Sequence, residues 1–85
     1  MPNYVTVLSN HSRKQLDKLS DHIAAPILDA IGRLEENPRP MGYKKLKGST
    51  SYRIRVGDYR IIYDIFDTIL VIEVITLGHR KDMYQ

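Results

Sequence analysis

The 85-residue chain contains no cysteine and no tryptophan. Without thiols it forms neither a disulfide nor a thiolate metal site, so packing alone, or packing with a partner, must hold it together. That matters at this length. A chain so short buries only about 60–65% of its unfolded surface, and a thin stability margin is expected. The missing cysteines give no sign of an oxidising compartment, so the cytoplasm is the expected location. Apolar runs are short, and none approaches the roughly 20 residues of a membrane span. The opening Met1-Pro2-Asn3-Tyr4 has no basic stretch leading into an apolar one, so no signal peptide is expected. No cluster of carboxylates and histidines has metal-ligand spacing, and no metal or other cofactor is expected. Repeats and low-complexity segments are absent. A single domain over residues 1–85 is expected.

What the chain does have is unevenly placed positive charge. The formal net charge is only +3. Between Arg39 and Tyr63, however, stand seven cations (Arg39, Lys44, Lys45, Lys47, Arg53, Arg55, Arg60) and one anion, Asp58. That stretch is net +6 and the remainder −3. Such a concentration points to an anionic partner, nucleic acid first. The plainer reading is a solvated basic face that binds nothing.

The first half reads as helix and the second as strand, which implies an α+β domain with helices on one face of an antiparallel sheet. Tyr4 to Leu8 is a short β-prone opening. Ser9 or Asn10 caps a first helix that buries Leu16 and Leu19. Ser20-Asp21 caps a second, whose stripe is Ile23, Ile27, Ile31 and Leu34. Pro26 interrupts the hydrogen bonding of that stripe, but the register continues across it, so one kinked helix is expected. Asn37-Pro38-Arg39-Pro40 ends it. Four strands follow: Tyr43–Leu46, Ser51–Val56, Tyr59–Phe66 and Ile69–Leu77. Gly57-Asp58 and Asp67-Thr68 read as two-residue turns. Gly78 is expected to break the last strand.

Two such turns fix a register. Val56 faces Tyr59, Arg55 faces Arg60, and Ile54 faces Ile61. In the second hairpin, Arg60 faces Ile75 and Ile61 faces Val74. Alternation then gives one apolar face: Tyr52, Ile54, Val56, Tyr59, Ile61, Tyr63, Ile65, Leu70, Ile72 and Val74. The other carries Arg53, Arg55 and Arg60 beside Ile62, Glu73 and Ile75. Like charges directly opposite one another cost about 0.2–1 kcal/mol. A sequence shaped only for folding has little reason to put Arg55 against Arg60. A bound phosphate would turn their repulsion into attraction, because guanidinium planes bind two oxygens at once. His79 and Arg80 follow Gly78 and are expected to emerge near Arg60. Histidine can pass protons near neutral pH, and the hydroxyl or ring of Tyr84 can meet a phosphate or a base. His11 and His22, in the helical half, read as surface.

The run Tyr52-Arg53-Ile54-Arg55-Val56-Gly57-Asp58-Tyr59-Arg60-Ile61-Ile62-Tyr63, followed by Gly78-His79-Arg80 and Tyr84, resembles the RelE/ParE superfamily of bacterial and archaeal toxins. The helix end Glu35-Glu36-Asn37-Pro38-Arg39 and the stretch Lys45-Leu46-Lys47-Gly48 fit the same layout, so the resemblance covers nearly the whole chain. It implies two helices packed on a twisted, mainly antiparallel four-stranded sheet. It also implies metal-independent cleavage of messenger RNA on the ribosome, and neutralisation by a cognate antitoxin that wraps the toxin in a hetero-oligomer. Carried over position by position, the catalytic residues are Arg53, Arg55, Arg60 and Arg80, with Tyr84 at the C-terminal tyrosine position. Lys44, Lys45 and Lys47 would grip ribosomal RNA.

This chain departs from the family in having Arg53 and Arg55 where the best-known members have lysines. An arginine holds its proton too tightly to act as a base. His79 becomes the candidate proton shuttle, since related toxins use a C-terminal histidine. The spacing from Arg80 to Tyr84 is also shorter than in some relatives. Two other readings stay open: a ParE-like inhibitor that binds DNA gyrase without catalysis, and a degenerate toxin that only binds an antitoxin.

Overall fold

The computed structural model describes residues 3–83. Strand β1 (Val5–Leu8) leads into helix α1 (Asn10–Asp17) and helix α2 (Asp21–Leu34). Strands β2 (Lys44–Lys45), β3 (Tyr52–Val56), β4 (Tyr59–Phe66) and β5 (Val71–His79) follow, and a single helical turn, α3 (Arg80–Met83), comes last. No helix among the described residues is long and apolar enough to cross a membrane.

The α+β class holds, but the sheet has five strands rather than four. Its order is β1-β5-β4-β3-β2. The β-prone opening is the extra strand, and it lies parallel to β5, with Val5 opposite Val71 and Leu8 opposite Val74. Its outer edge is covered at one point, where the Glu35 carboxylate accepts the Thr6 N–H at 2.9 Å. Such a cap blunts an edge strand that could otherwise pair with another chain.

The core lies between the helices and one face of the sheet. Leu16, Ile27, Ile31 and Leu34 pack from the helices against Ile54, Ile61, Tyr63, Ile72, Val74 and Leu77. Helix α2 runs unbroken through Pro26, as its stripe requires. His11 and His22 are exposed.

The first hairpin has the expected register: Val56 pairs with Tyr59, Arg55 with Arg60, and Ile54 with Ile61. The second does not. Four residues, Asp67 to Leu70, separate Phe66 from Val71, and Leu70 turns at φ +56°. Arg60 therefore pairs with Gly78 rather than Ile75, and Ile61 with Leu77 rather than Val74. Gly78 does not break β5, which continues to His79.

A β-bulge accompanies the change. Ile62 pairs with Thr76 but its neighbour Tyr63 pairs with Val74, which leaves Ile75 as the extra residue in β5. One extra residue reverses the alternation beyond it. Leu77 thus turns into the core beside Val74 instead of away from it. The start of α1 holds this bulge in place. The Ser9 hydroxyl donates to the Ile75 carbonyl (2.7 Å), the buried Ser12 hydroxyl donates to that of Val74 (3.0 Å), and the Leu77 N–H donates to Gln15 Oε1 (2.8 Å).

Candidate functional site

The site begins with a tight turn. Gly57 takes φ +58°, a conformation other residues rarely adopt, and this lets β3 and β4 connect through Gly57-Asp58 alone. The turn sets Arg55 directly opposite Arg60 on the face that the helices leave open. Arg53, two residues back, shares that face, and its partner across β2 is Lys44. The Arg53 guanidinium is held below the usual arginine range by partial burial, then by the charges of Arg55 and Arg60. It remains charged, since arginine does not lose its proton in a protein. Part of that lowering is the repulsion that Arg55 and Arg60 exert on Arg53.

Arg80 joins them from the far end of β5. Its backbone N–H donates to the Asp58 carbonyl at 2.7 Å, tying the first residue of α3 to the β3–β4 turn. A small cavity of about 60 Å³ is lined by Arg55, Gly57, Asp58, Tyr59, Arg60 and Arg80. The Nε of Arg60 is buried and has no hydrogen-bond partner among the described residues. A cavity lined by three cations favours an oxygen acceptor.

A broader groove of about 460 Å³ meets this cavity at Arg55. Arg53, Lys44 and Arg33 supply its positive charge, and Ile54 and Ala30 contribute to its lining. Together the two form a basic track running from α2 across β3 to the start of α3. Sequence reading missed Arg33. Its spacing from Asp29 gives a helical ion pair, which is present at 3.1 Å, and nothing in the helical half signalled that the end of α2 borders the cationic strand. From sequence, Asp58 reads as the lone anion of its stretch and as half of a tight turn, not as a residue of the site. Lys45 pairs with Tyr52, so alternation turns it away from Lys44. Lys47 is exposed in the loop after β2. Neither lysine lines the cavity or the groove.

His79 is not brought to the arginines. Because the bulge reverses the alternation in β5, the imidazole faces the helix side of the sheet. There it packs edge-on to Tyr59, with ring centroids 5.5 Å apart. It lines a second groove with His22, Ile23, Pro26 and Val56; this groove shares Gly57, Asp58 and Tyr59 with the arginine cavity. Its Nδ1 accepts the Lys81 N–H at 3.2 Å, a local cap on the final turn. The expectation that His79 emerges near Arg60 holds for its backbone, which follows Arg60's partner Gly78, and fails for its ring. Tyr84 lies outside the described residues.

The arrangement suits an anion by its charge: three guanidiniums line one small cavity, and a basic groove adjoins it. Comparison with known proteins identifies the family of the chain. The family model of the ParE toxin of type II toxin–antitoxin systems, parDE, matches residues 7–84. Toxin RelG of Mycobacterium tuberculosis is 30% identical, over 96% of this chain and 97% of its own length. Among solved structures, the RelBE2 toxin–antitoxin complex of Mycobacterium tuberculosis is similar with a TM-score of 0.81 and 27% identity, over 92% of this chain and 99% of that one. The archaeal RelE–RelB complex of Pyrococcus horikoshii is similar with a TM-score of 0.80 and 30% identity, over 94% and 97%. By fold, by length and by sequence, the chain belongs to the RelE/ParE superfamily of type II toxin–antitoxin toxins.

Proposed function

We propose that this toxin is a metal-independent endoribonuclease that cuts messenger RNA on the ribosome and so stops translation. The observation that carries the reading is the convergence of Arg55, Arg60 and Arg80 on one cavity. In the reaction, the ribose 2′-oxygen attacks the adjacent phosphorus and the bond to the 5′-oxygen breaks. The products are a 2′,3′-cyclic phosphate and a 5′-hydroxyl. Negative charge builds on the phosphoryl oxygens in the transition state. Fixed guanidiniums stabilise it more than they stabilise the singly charged ground state, which is the condition for catalysis.

Arg53 and Lys44 hold the neighbouring backbone in the groove, and Lys45 and Lys47, which line neither hollow, meet ribosomal RNA outside it. These contacts weaken as salt rises. Tyr84 keeps the role the family resemblance gives it, stacking on a base or protonating the leaving oxygen. His79 is not assigned the proton transfer, because its ring lies on the other side of the sheet from the cavity. The chain's main contribution is electrostatic.

The relatives from Mycobacterium tuberculosis and Pyrococcus horikoshii were solved as complexes with their antitoxins. We infer that this chain also has a cognate antitoxin. An acidic segment would bind its basic track and add stability to a small core.

The test is a translation extract. The chain should create new 5′ ends inside coding regions of ribosome-bound messages. Arg60→Ala and Arg80→Ala should each abolish them while leaving the circular dichroism spectrum unchanged. The match to the ParE family model favours one rival, binding and inhibition of DNA gyrase. A supercoiling assay with purified gyrase separates the two: inhibition there, with messages intact, would replace the nuclease reading.

A further inference from the structure

Among the described residues, Asp58 is the only acidic one lining the arginine cavity. It makes two unequal contacts with Arg80. Its carbonyl accepts the Arg80 N–H at 2.7 Å, which fixes where α3 begins. Its carboxylate reaches the Arg80 Nε only at 3.9 Å, with both side chains about two-thirds exposed (65% and 66%). Ion pairs this open are weak. The strong contact thus sets the position of the arginine's backbone, and the weak one biases where its guanidinium points.

That combination answers a question the cavity itself raises. Arg55 and Arg60 are directly opposed, and Arg80 is the third cation beside them. In the empty protein their repulsion would splay the side chains into water. A carboxylate at the rim offsets part of that repulsion. A phosphodiester competes well for the same donors, because it presents two oxygens to a planar guanidinium. A weak resident anion is easily displaced, whereas a strong one would block the site.

We propose that Asp58 is the resident counter-anion of this cavity: a positioning residue that keeps Arg80 directed at the site while it is empty, and that yields Arg80 to the RNA phosphate. The proposal rests on the nuclease reading for its consequence in turnover, but not for its consequence in structure or binding.

Asp58→Asn tests it, because asparagine keeps the size and turn-forming capacity of aspartate and removes the charge. The first readout is the affinity of the full chain for a short RNA carrying a 2′-deoxy sugar at the cleaved position, measured by fluorescence anisotropy. It should tighten by about two- to fivefold, the scale of one partly exposed charge pair. The second is cleavage of a ribosome-bound message at saturation, which should fall about tenfold as Arg80 loses its aim. Asp58→Glu, which restores the charge, should recover turnover. Loss of a structural prop would weaken both quantities together, so their opposite movement is the signature.

The third readout is ¹⁵N relaxation of the Arg80 side-chain Nε–H. It should report order in the wild type, motion in the Asn variant, and order again once the 2′-deoxy RNA is added. An Arg80 Nε equally ordered in both proteins, or affinity and turnover falling in step, would overturn the assignment. If the wild type cuts no RNA, the nuclease reading fails, and relaxation and binding still decide the role of Asp58.

Discussion

The Ser9 hydroxyl donates to the Ile75 carbonyl at 2.7 Å, at the point where β5 carries one residue more than β4. The first turn of α1 adds hydroxyl donors to the carbonyls at that bulge. Ser12 is wholly buried there, bonded to the Val74 carbonyl. Ser12→Ala should therefore destabilise the fold by about 0.5–1.5 kcal/mol, the net worth of one such bond, since the Ser9 N–H still serves the Val74 carbonyl at 3.0 Å. Urea denaturation checks this. A change within error would mean that the bulge does not depend on α1.

That bulge also marks the limit of what the sequence discloses. The helices, the core stripe of α2 and the first hairpin were legible because each rests on local signals: Ser9 and Ser20 as caps, a spacing of three to four apolar residues, and Gly57-Asp58 as a tight turn. The opposition of Arg55 and Arg60 followed from that turn alone. The second hairpin has no comparable marker. Asp67-Thr68 looks like a two-residue turn, but the chain spends four residues there and puts Leu70, not a glycine, in the left-handed region. The bulge at Ile75 is set by hydrogen bonds to residues more than sixty positions away. No period in the strand itself encodes it. The side that His79 faces depends on that bulge, which is why its backbone position was foreseeable and its ring position was not. The parallel pairing of β1 is equally non-local.

The arginines should trade stability for function. Arg55 is exposed and sits opposite Arg60, so Arg55→Ala removes repulsion while sacrificing little packing. Its thermal midpoint should rise, consistent with a gain of about 0.2–1 kcal/mol, while message cleavage falls about 100-fold or more, the usual loss for one donor to a developing oxyanion. A variant both less stable and fully active would show that the cluster is not an anion site.

His79 gives the sharpest contrast with expectation from sequence. Its ring packs on Tyr59 and caps the Lys81 N–H, away from the cavity. His79→Gln should leave cleavage within about threefold of wild type, well short of the 10²–10⁴-fold usual for a lost general acid or base. The pH–rate profile should keep its shape through the histidine range. A loss comparable to that of Arg60→Ala, with a vanished acid limb, would return the proton transfer to this residue.

Tyr63 lies wholly buried under α2, and its hydroxyl donates to the Pro38 carbonyl at 2.7 Å. Burial raises its phenol to about 12, disfavouring the phenolate in the folded state. Because the folded value exceeds the ordinary 10.0, the neutral phenol's contribution is complete below about pH 10 and is lost as pH climbs toward 12. Tyr63→Phe removes both the hydrogen bond and the ionisation. At neutral pH the variant should be less stable by about 0.5–1.5 kcal/mol, the net worth of one such bond. As pH rises from about 10 to about 12, only the wild type loses stability, because its unfolded chain ionises this phenol while the folded protein keeps it neutral, so the gap in urea midpoints should narrow and then close. A gap that stays constant across that range would show that Tyr63 is as easily ionised folded as unfolded. That would contradict the sealed seam between α2, the Pro38 loop and β4 on which the open arginine face is built.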